Sequence, residues 1–336
     1  MAQELAYSRW HRTLGYSYFA MDLDNIEVRQ NAIVGIVESS LATSRFPTHK
    51  DVFNRFLSET GGFQFELVYW TSRWLDIPAF VVSMNPIAKK ETRHTYFAQP
   101  DQMQILNLLT GETAFIKSFD EYQEFIRTLP GPKTFSQAEP IPLPKLLENL
   151  SGEFDGIRRY PYFNESKQER WVQDYEQRFK EIKEARQPSL RPPIVANAPV
   201  KGETTGERKD DYDIVRRSVK WERELPFSYF TVDWVEWRKA NRAQTIGRPY
   251  ALIKTAAIDK DEDFIAAAEL HYKNFRSSQE AAWLSVMAFA MQINWYFCAY
   301  ERVSTEEIGN RFIIWNNFEQ LKEMSKEEYE TWIKQI

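Results

Sequence analysis

The sequence predicts an α/β protein built from two copies of one domain, each a mixed sheet flanked by helices. Three observations carry this expectation. A ten-residue block recurs near both ends of the chain, and a similar order of strand-like and helix-like segments follows each occurrence. The composition, with 43% hydrophobic and 15% aromatic residues including 11 Trp and 23 Phe over 336 residues, is rich enough to fill more than one core.

The repeated block is WHRTLGYSYF at 10–19 and WERELPFSYF at 221–230, six identities in ten without a gap. Next come Asp24-Asn-Ile-Glu27-Val-Arg29 and Asp233-Trp-Val-Glu236-Trp-Arg238, a shared D-x-[IV]-E-x-R. Ser118 with Glu121, and Ser325 with Glu328, read as capping boxes that open a terminal helix in each copy, because the serine side chain and the glutamate three residues on satisfy each other's backbone N–H groups. The expected layout is a first domain over 1–130, a connector over 131–214 and a second domain over 215–336. The connector is proline-rich at 130–146 and 187–200 and so is expected to be extended there. Between those stretches Trp171, Tyr175, Phe179 and Ile182 recur at helical spacing on a charged helix over about 164–186. The polar segment GETTGERKDD at 202–211 is the expected flexible point.

Within the first copy, residues 16–29 alternate and are rich in aromatic and branched side chains, which predicts one strand, or two with a bend near Met21. A polar Gln30-Asn31 turn leads to AIVGIVESSLA, a second strand, and the two form a hairpin. Phe63, Leu67, Trp70 and Trp74 then fall three or four apart on one helix face, and Pro78 closes that helix before a buried strand, AFVVSMN. The second copy follows with YALIKTAAI, a helix in SQEAAWLSVMAFAMQ and a strand in WYFCAY, and its hairpin is longer by seven residues.

Side chains alternate along a strand, so Asp22 and Asp24 share one face of the first strand, and Glu38 and Ser40 share one face of the next. If those faces coincide, Asp24 and Glu38 converge into a hard oxygen site suited to magnesium, which would orient a water and offset charge on a phosphodiester. The bland alternative is a solvated strand face or a hydrogen-bonded aspartate.

Motif and element order together resemble the restriction-endonuclease-like, or PD-(D/E)XK, nuclease superfamily, over about the first 85 residues and, in degraded form, over 221–300. The resemblance implies a metal-dependent nuclease, with Asp24, or Asp22 in its place, as the family's aspartate and Glu38 as its second acid. It implies Mg2+ as cofactor at Asp24 and Glu38, and nucleic acid as partner. The chain departs from the family where it matters most: Ser40 stands where a lysine is wanted. Arg45 or Lys50 would have to supply that charge from the following loop. In the second copy Lys254 takes the place of Glu38 and Ala256 that of Ser40, so that copy is expected to be catalytically dead. The readings that follow are a nuclease active in its first half, a pseudo-nuclease that binds nucleic acid or a protein partner without cutting, and a structural subunit of a larger assembly.

Other candidates are weaker. Arg12 and Arg223, in the two W-x-R triplets, read first as packing or capping residues and second as phosphate contacts. Arg158 and Arg159, followed by Tyr-Pro-Tyr, form a basic-aromatic run of the kind that grips single strands. Glu27 with Arg29, and Glu236 with Arg238, read as ion pairs on the sheet surface.

The remaining composition sets bounds. A net charge of −5 gives no overall electrostatic reason to bind nucleic acid, so a local groove would be needed. The single cysteine, Cys298, sits in an apolar run and reads as a buried thiol, which excludes a disulfide frame and fits a cytoplasmic protein. The four histidines, His11, His49, His94 and His271, lack zinc-site spacing and read as surface residues. Twelve glycines leave little room for a dinucleotide loop, and the apolar runs are too short to span a membrane.

Overall fold

A computed structural model describes residues 2–15, 18–29, 32–41, 45–58, 64–86, 98–116, 119–129, 140–159, 228–239, 247–260, 262–316 and 319–336, with scattered positions between 173 and 184. Among these residues are eight α-helices and ten strands. The strands are β1 (Tyr18–Arg29), β2 (Ala32–Leu41), β3 (Ala79–Pro86), β4 (Ala98–Asn107), β5 (Thr113–Ile116), β6 (Ser228–Lys239), β7 (Gly247–Asp259), β8 (Asn294–Arg302), β9 (Ile308–Asn316) and β10 (Glu319–Ser325). The helices are α1 (Ala2–His11), α2 (His49–Phe56), α3 (Gln64–Leu75), α4 (Phe119–Thr128), α5 (Leu143–Glu153), α6 (Phe264–Arg276), α7 (Gln279–Met291) and α8 (Lys326–Gln335). Hydrogen bonding links the strands into one mixed sheet, in the order β10-β9-β8-β7-β6-β1-β2-β3-β4-β5. The α/β class follows the sequence, but there is a single ten-stranded sheet where a separate sheet per copy was expected.

The ladder is the same on both sides of that order. β1 and β2 form an antiparallel hairpin, β2 and β3 run parallel, and β4 and β5 add antiparallel. β6 to β10 repeat this sequence of pairings. Each hairpin carries a register shift at one equivalent place, between Glu27 and Val28 and between Glu236 and Trp237. Such a shift inserts an extra residue into one strand and turns the strand beyond it. Of the two readings of residues 16–29, the single strand holds: β1 runs unbroken from Tyr18 to Arg29.

Contacts divide the chain into two compact units, whose described parts include residues 24–159 in one and 1–23 with 231–336 in the other. In the first, Val37, Phe80, Val82, Met103 and Ile105 form one face of the sheet, and Tyr122, Ile126 and Leu129 from α4 and its end cover it. Helix α5 adds buried Leu143, Leu146, Leu147 and Leu150. It begins behind Pro142, with Pro144 in its first turn, where a missing N–H costs nothing. The stretch expected to be extended to residue 146 is therefore helical from Leu143. The Trp171 to Ile182 stripe and the 202–211 segment lie outside the described residues.

In the second unit, Ile253, Tyr296, Cys298, Phe312 and Ile314 form the corresponding face, with Tyr329 and Ile333 of α8 on it. The Ser325 capping box that opens α8 is formed as expected, whereas Ser118 lies outside the described residues. Helix α1, from the head of the first sequence copy, belongs to this unit and enters the same core through Ala6, Tyr7 and Trp10, followed by Leu14. Tyr7 and Trp10 stack among Trp234, Phe312 and Tyr329. The segment ahead of Trp221 that would correspond to α1 lies outside the described residues.

This packing overturns two expectations. Glu236 is wholly buried, and its Oε2 meets His11 Nε2 at 2.9 Å, so it is no sheet-surface partner of Arg238. Arg238 instead donates to the carbonyls of Ile333, Lys334 and Ile336 at the end of α8 and lies over the Tyr18 and Tyr250 rings. His11 is 2% exposed, not a surface residue, because α1 lays its apolar face on that side of the sheet. In the first unit Glu27 is likewise buried. Cys298 is buried as expected, and burial pushes its thiol up to about 12, so it stays protonated. Among the described residues no helix is long and apolar enough to cross a membrane.

Candidate functional site

The two acids singled out from the sequence are brought together in the first unit. Continuing the β1–β2 register one step beyond Asn25 and Val37 sets Asp24 opposite Glu38. The Asp24 backbone N–H donates to Glu38 Oε1 at 3.0 Å, and the Ser39 N–H donates to Asp24 Oδ2 at 3.1 Å. Gln64, the first residue of α3, donates from Nε2 to Glu38 Oε2 at 3.3 Å. Asn25 points the other way and donates to the Val37 carbonyl at 2.9 Å. Glu38 is 2% exposed and Asp24 half-buried, and the pair lies on the face of the sheet opposite Val37, beside the start of α3. Asp22 is half-buried two residues back on β1.

The second unit repeats this lattice with different chemistry. Asp233 Oδ2 accepts the Thr255 N–H at 3.0 Å, as Asp24 does from Ser39. Lys254 pairs in parallel with Phe297 on β8, where Glu38 pairs with Val81 on β3, and so stands at the position of Glu38. Its ammonium reaches Asp233 Oδ1 at 3.1 Å and Glu280 Oε1 at 2.7 Å. Glu280 lies in the first turn of α7, as Gln64 lies in the first turn of α3. The pairing of Glu38 with Lys254 across the two copies thus matches the strand registers. Position 280, the third member, was missed. It was legible as an acidic residue just inside a Ser278-capped helix start.

The basic candidates are placed as follows. Arg45 is exposed, with its guanidinium over the Phe46 ring at 5.4 Å. Lys50 is exposed on α2. Arg158 is engaged locally: it donates to the Ser151 carbonyl at 2.9 and 2.6 Å and faces Asp155 at 3.4 Å. Arg159 ends the single turn Ile157–Arg159. Arg12 is exposed in the turn after α1, in the other unit. Arg223 lies outside the described residues.

One residue read as a surface histidine is half-buried against the face of the sheet that carries Glu38. His49 opens α2 behind a capping box made by Thr48 and Asp51. Its Nδ1 meets Ser83 Oγ at 2.9 Å, and its ring lies edge-on to Phe115 with centroids 6.3 Å apart. Burial lowers its pKa below the ordinary 6.5, so the imidazole is neutral at pH 7. The T-x-x-D signal for this helix start was readable in the sequence.

Among the described residues no group of three or more His, Cys, Asp and Glu is arranged to hold a metal ion. Two carboxylates are nevertheless a donor set that Mg2+ accepts, since it keeps several waters and takes one or two carboxylates with substrate phosphates. Compared with protein-family models, curated proteins and solved structures, the chain matches none.

Proposed function

We propose that this protein is a tandem-duplicated, restriction-endonuclease-like protein that processes nucleic acid, with phosphodiester hydrolysis in its first half and a second half that serves binding or scaffolding. The observation that carries this reading is the cross-strand pair of Asp24 and Glu38, linked through the Asp24 N–H and backed by Gln64 at a helix start. Asp24 and Glu38 would hold Mg2+, which supplies charge neutralisation on the phosphate when bound. Gln64 and the Ser39 N–H fix the orientation of the two carboxylates. In the second half the ammonium of Lys254 occupies the place between Asp233 and Glu280 where a cation would sit.

A second reading, a pseudo-nuclease that binds nucleic acid or a protein without cutting, is favoured by one observation. The aspartate-to-backbone bond is the same in both halves, so holding the strands together suffices to explain Asp24. The test is incubation with labelled single- and double-stranded DNA and RNA in Mg2+ or Mn2+, beside Glu38→Ala. Metal-dependent cutting that disappears in the variant supports the nuclease. Binding with intact substrate supports the second reading, and failure to bind any nucleic acid removes the nuclease and the nucleic-acid-binding form of the second reading.

A further inference from the structure

The first half lacks the lysine expected at position 40, and the residues that surround Ser40 identify another group for its work. Ser40 on β2 lies opposite Ser83 on β3, Ser83 opposite Gln104 on β4, and Gln104 opposite Phe115 on β5. By strand alternation this row shares the face that carries Glu38 and Val81. Helix α2 packs against β3 and β4, and its first residue, His49, is hydrogen-bonded to the fully buried Ser83 at 2.9 Å. The imidazole thus stands over the strand position adjoining Ser40, while the neighbouring Lys50 and Arg45 are exposed. Nε2 of His49 has no hydrogen-bond partner among the described residues. Phe115, against which the ring is set edge-on, is 63% exposed, so this end of the row opens to solvent.

We propose that His49 is the general base of the first-half site, taking the proton of the attacking water on Nε2 while Nδ1–H is held by Ser83 Oγ, in place of the lysine absent at position 40. This rests on the hydrolytic reading above. The water oxygen bonds to phosphorus as the bond from phosphorus to the leaving ester oxygen breaks. The leaving oxygen takes a proton from solvent, and the imidazolium returns its own to solvent. A neutral imidazole suits this task better than the electrostatic one of a lysine, because it accepts a proton at neutral pH and carries no charge to pair with the carboxylates. The charged groups on the elements packed around it are Lys50, Asp51 and Arg55 on α2, Glu38 on β2, Asp101 on β4 and Glu112 at the turn before β5. Ser83, Gln104 and Phe115 present no charge.

The experiment measures cleavage of labelled DNA and RNA by the full chain against pH in Mg2+, for wild type, His49→Gln, Ser83→Ala and Glu38→Ala. The expected result is a wild-type rate that rises and then levels as His49 loses its proton. His49→Gln should lose about 10²–10⁴-fold, the usual contribution of a positioned base, and its rate should keep rising with hydroxide. Added imidazole should restore part of the rate to His49→Gly. Should His49→Gln melt early, Ser83→Ala carries the test, because it keeps the ring and frees Nδ1, and its levelling point should move. A His49→Gln enzyme with the wild-type rate and pH profile, beside an inactive Glu38→Ala, overturns the role of His49 and leaves the hydrolytic reading standing. Intact substrate with every protein, wild type included, overturns the hydrolytic reading itself.

Discussion

The two halves of the sheet differ in how each treats the same three positions. In the first, Asp24, Glu38 and Gln64 are joined by backbone and amide hydrogen bonds, and two of the three are acids. In the second, Asp233, Lys254 and Glu280 are joined by an ammonium, 13% exposed, set between two carboxylates that are 8% and 12% exposed. One lattice of strand and helix ends therefore accommodates either two acids linked through backbone N–H groups or an ammonium set between two carboxylates. The exchange of Glu for Lys at one strand position, with Gln for Glu at the helix start, converts one into the other.

The largest effect belongs to Lys254. Removing its ammonium takes that counter-charge from two mostly buried carboxylates, and breaking a buried pair in this way costs about 3–5 kcal/mol. Lys254→Ala is expected to lose that much in urea unfolding, and Asp233→Asn with Glu280→Gln in the same chain should restore much of it. If Lys254→Ala unfolds like wild type, the triad contributes nothing and the contrast between halves fails. Next is Glu38→Ala, expected to lower metal-dependent cleavage by at least the roughly 10–100-fold that loss of a mere outer-shell partner costs, while leaving the second unit's hydrogen exchange unchanged.

A transplant sharpens the comparison further. Glu38→Lys alone places an ammonium beside Asp24 and the neutral Gln64. Adding Gln64→Glu recreates the second half's triad, and the double variant should be more stable than Glu38→Lys by about 1–3 kcal/mol, the usual coupling between contacting charges. Equal stability of the two would mean that position 64 does not reach position 38.

The smallest effect is a pH dependence. His49 has a folded pKa lowered from 6.5 by burial, so below 6.5 the unfolded chain binds its proton first. Stability therefore falls as pH drops from 6.5 towards the folded value, and rises again as pH is restored. Thermal melting of His49→Gln between pH 7 and 5 should lose less than wild type does, by the share due to this half-buried ring. A larger loss in the variant would contradict the sign.

Much of the lattice was legible because repeated polar residues mark it. The D-x-[IV]-E-x-R block sets both hairpins, and aligning IVESSL with LIKTAA put Lys254 at the position of Glu38, as the strand registers do. What was not legible depended on elements that the pattern left unclaimed. Helix α2 was not read, so His49 was set down as a surface residue. Helix α1 covers one face of the second unit, and without that contact Glu236 looks like an exposed strand glutamate. The stripe Tyr7, Trp10, His11 and Leu14, at helical spacing, was the available sign that His11 points inward. Strands β4 and β5 went unread, and with them Gln104 and Phe115, because residues 98–116 show weak alternation between Met103 and Leu109. The helix over 143–153 was hidden by prolines that belong to its first turn.

Mn2+ titration of the full chain, read by calorimetry or paramagnetic broadening, tests the contrast between the halves most directly. The expected result is one ion bound by wild type and by Lys254→Met/Asp233→Asn/Glu280→Gln, and none by Glu38→Ala. Wild type that takes up no Mn2+, or Glu38→Ala that binds it unchanged, would contradict the assignment of cation chemistry to the first half.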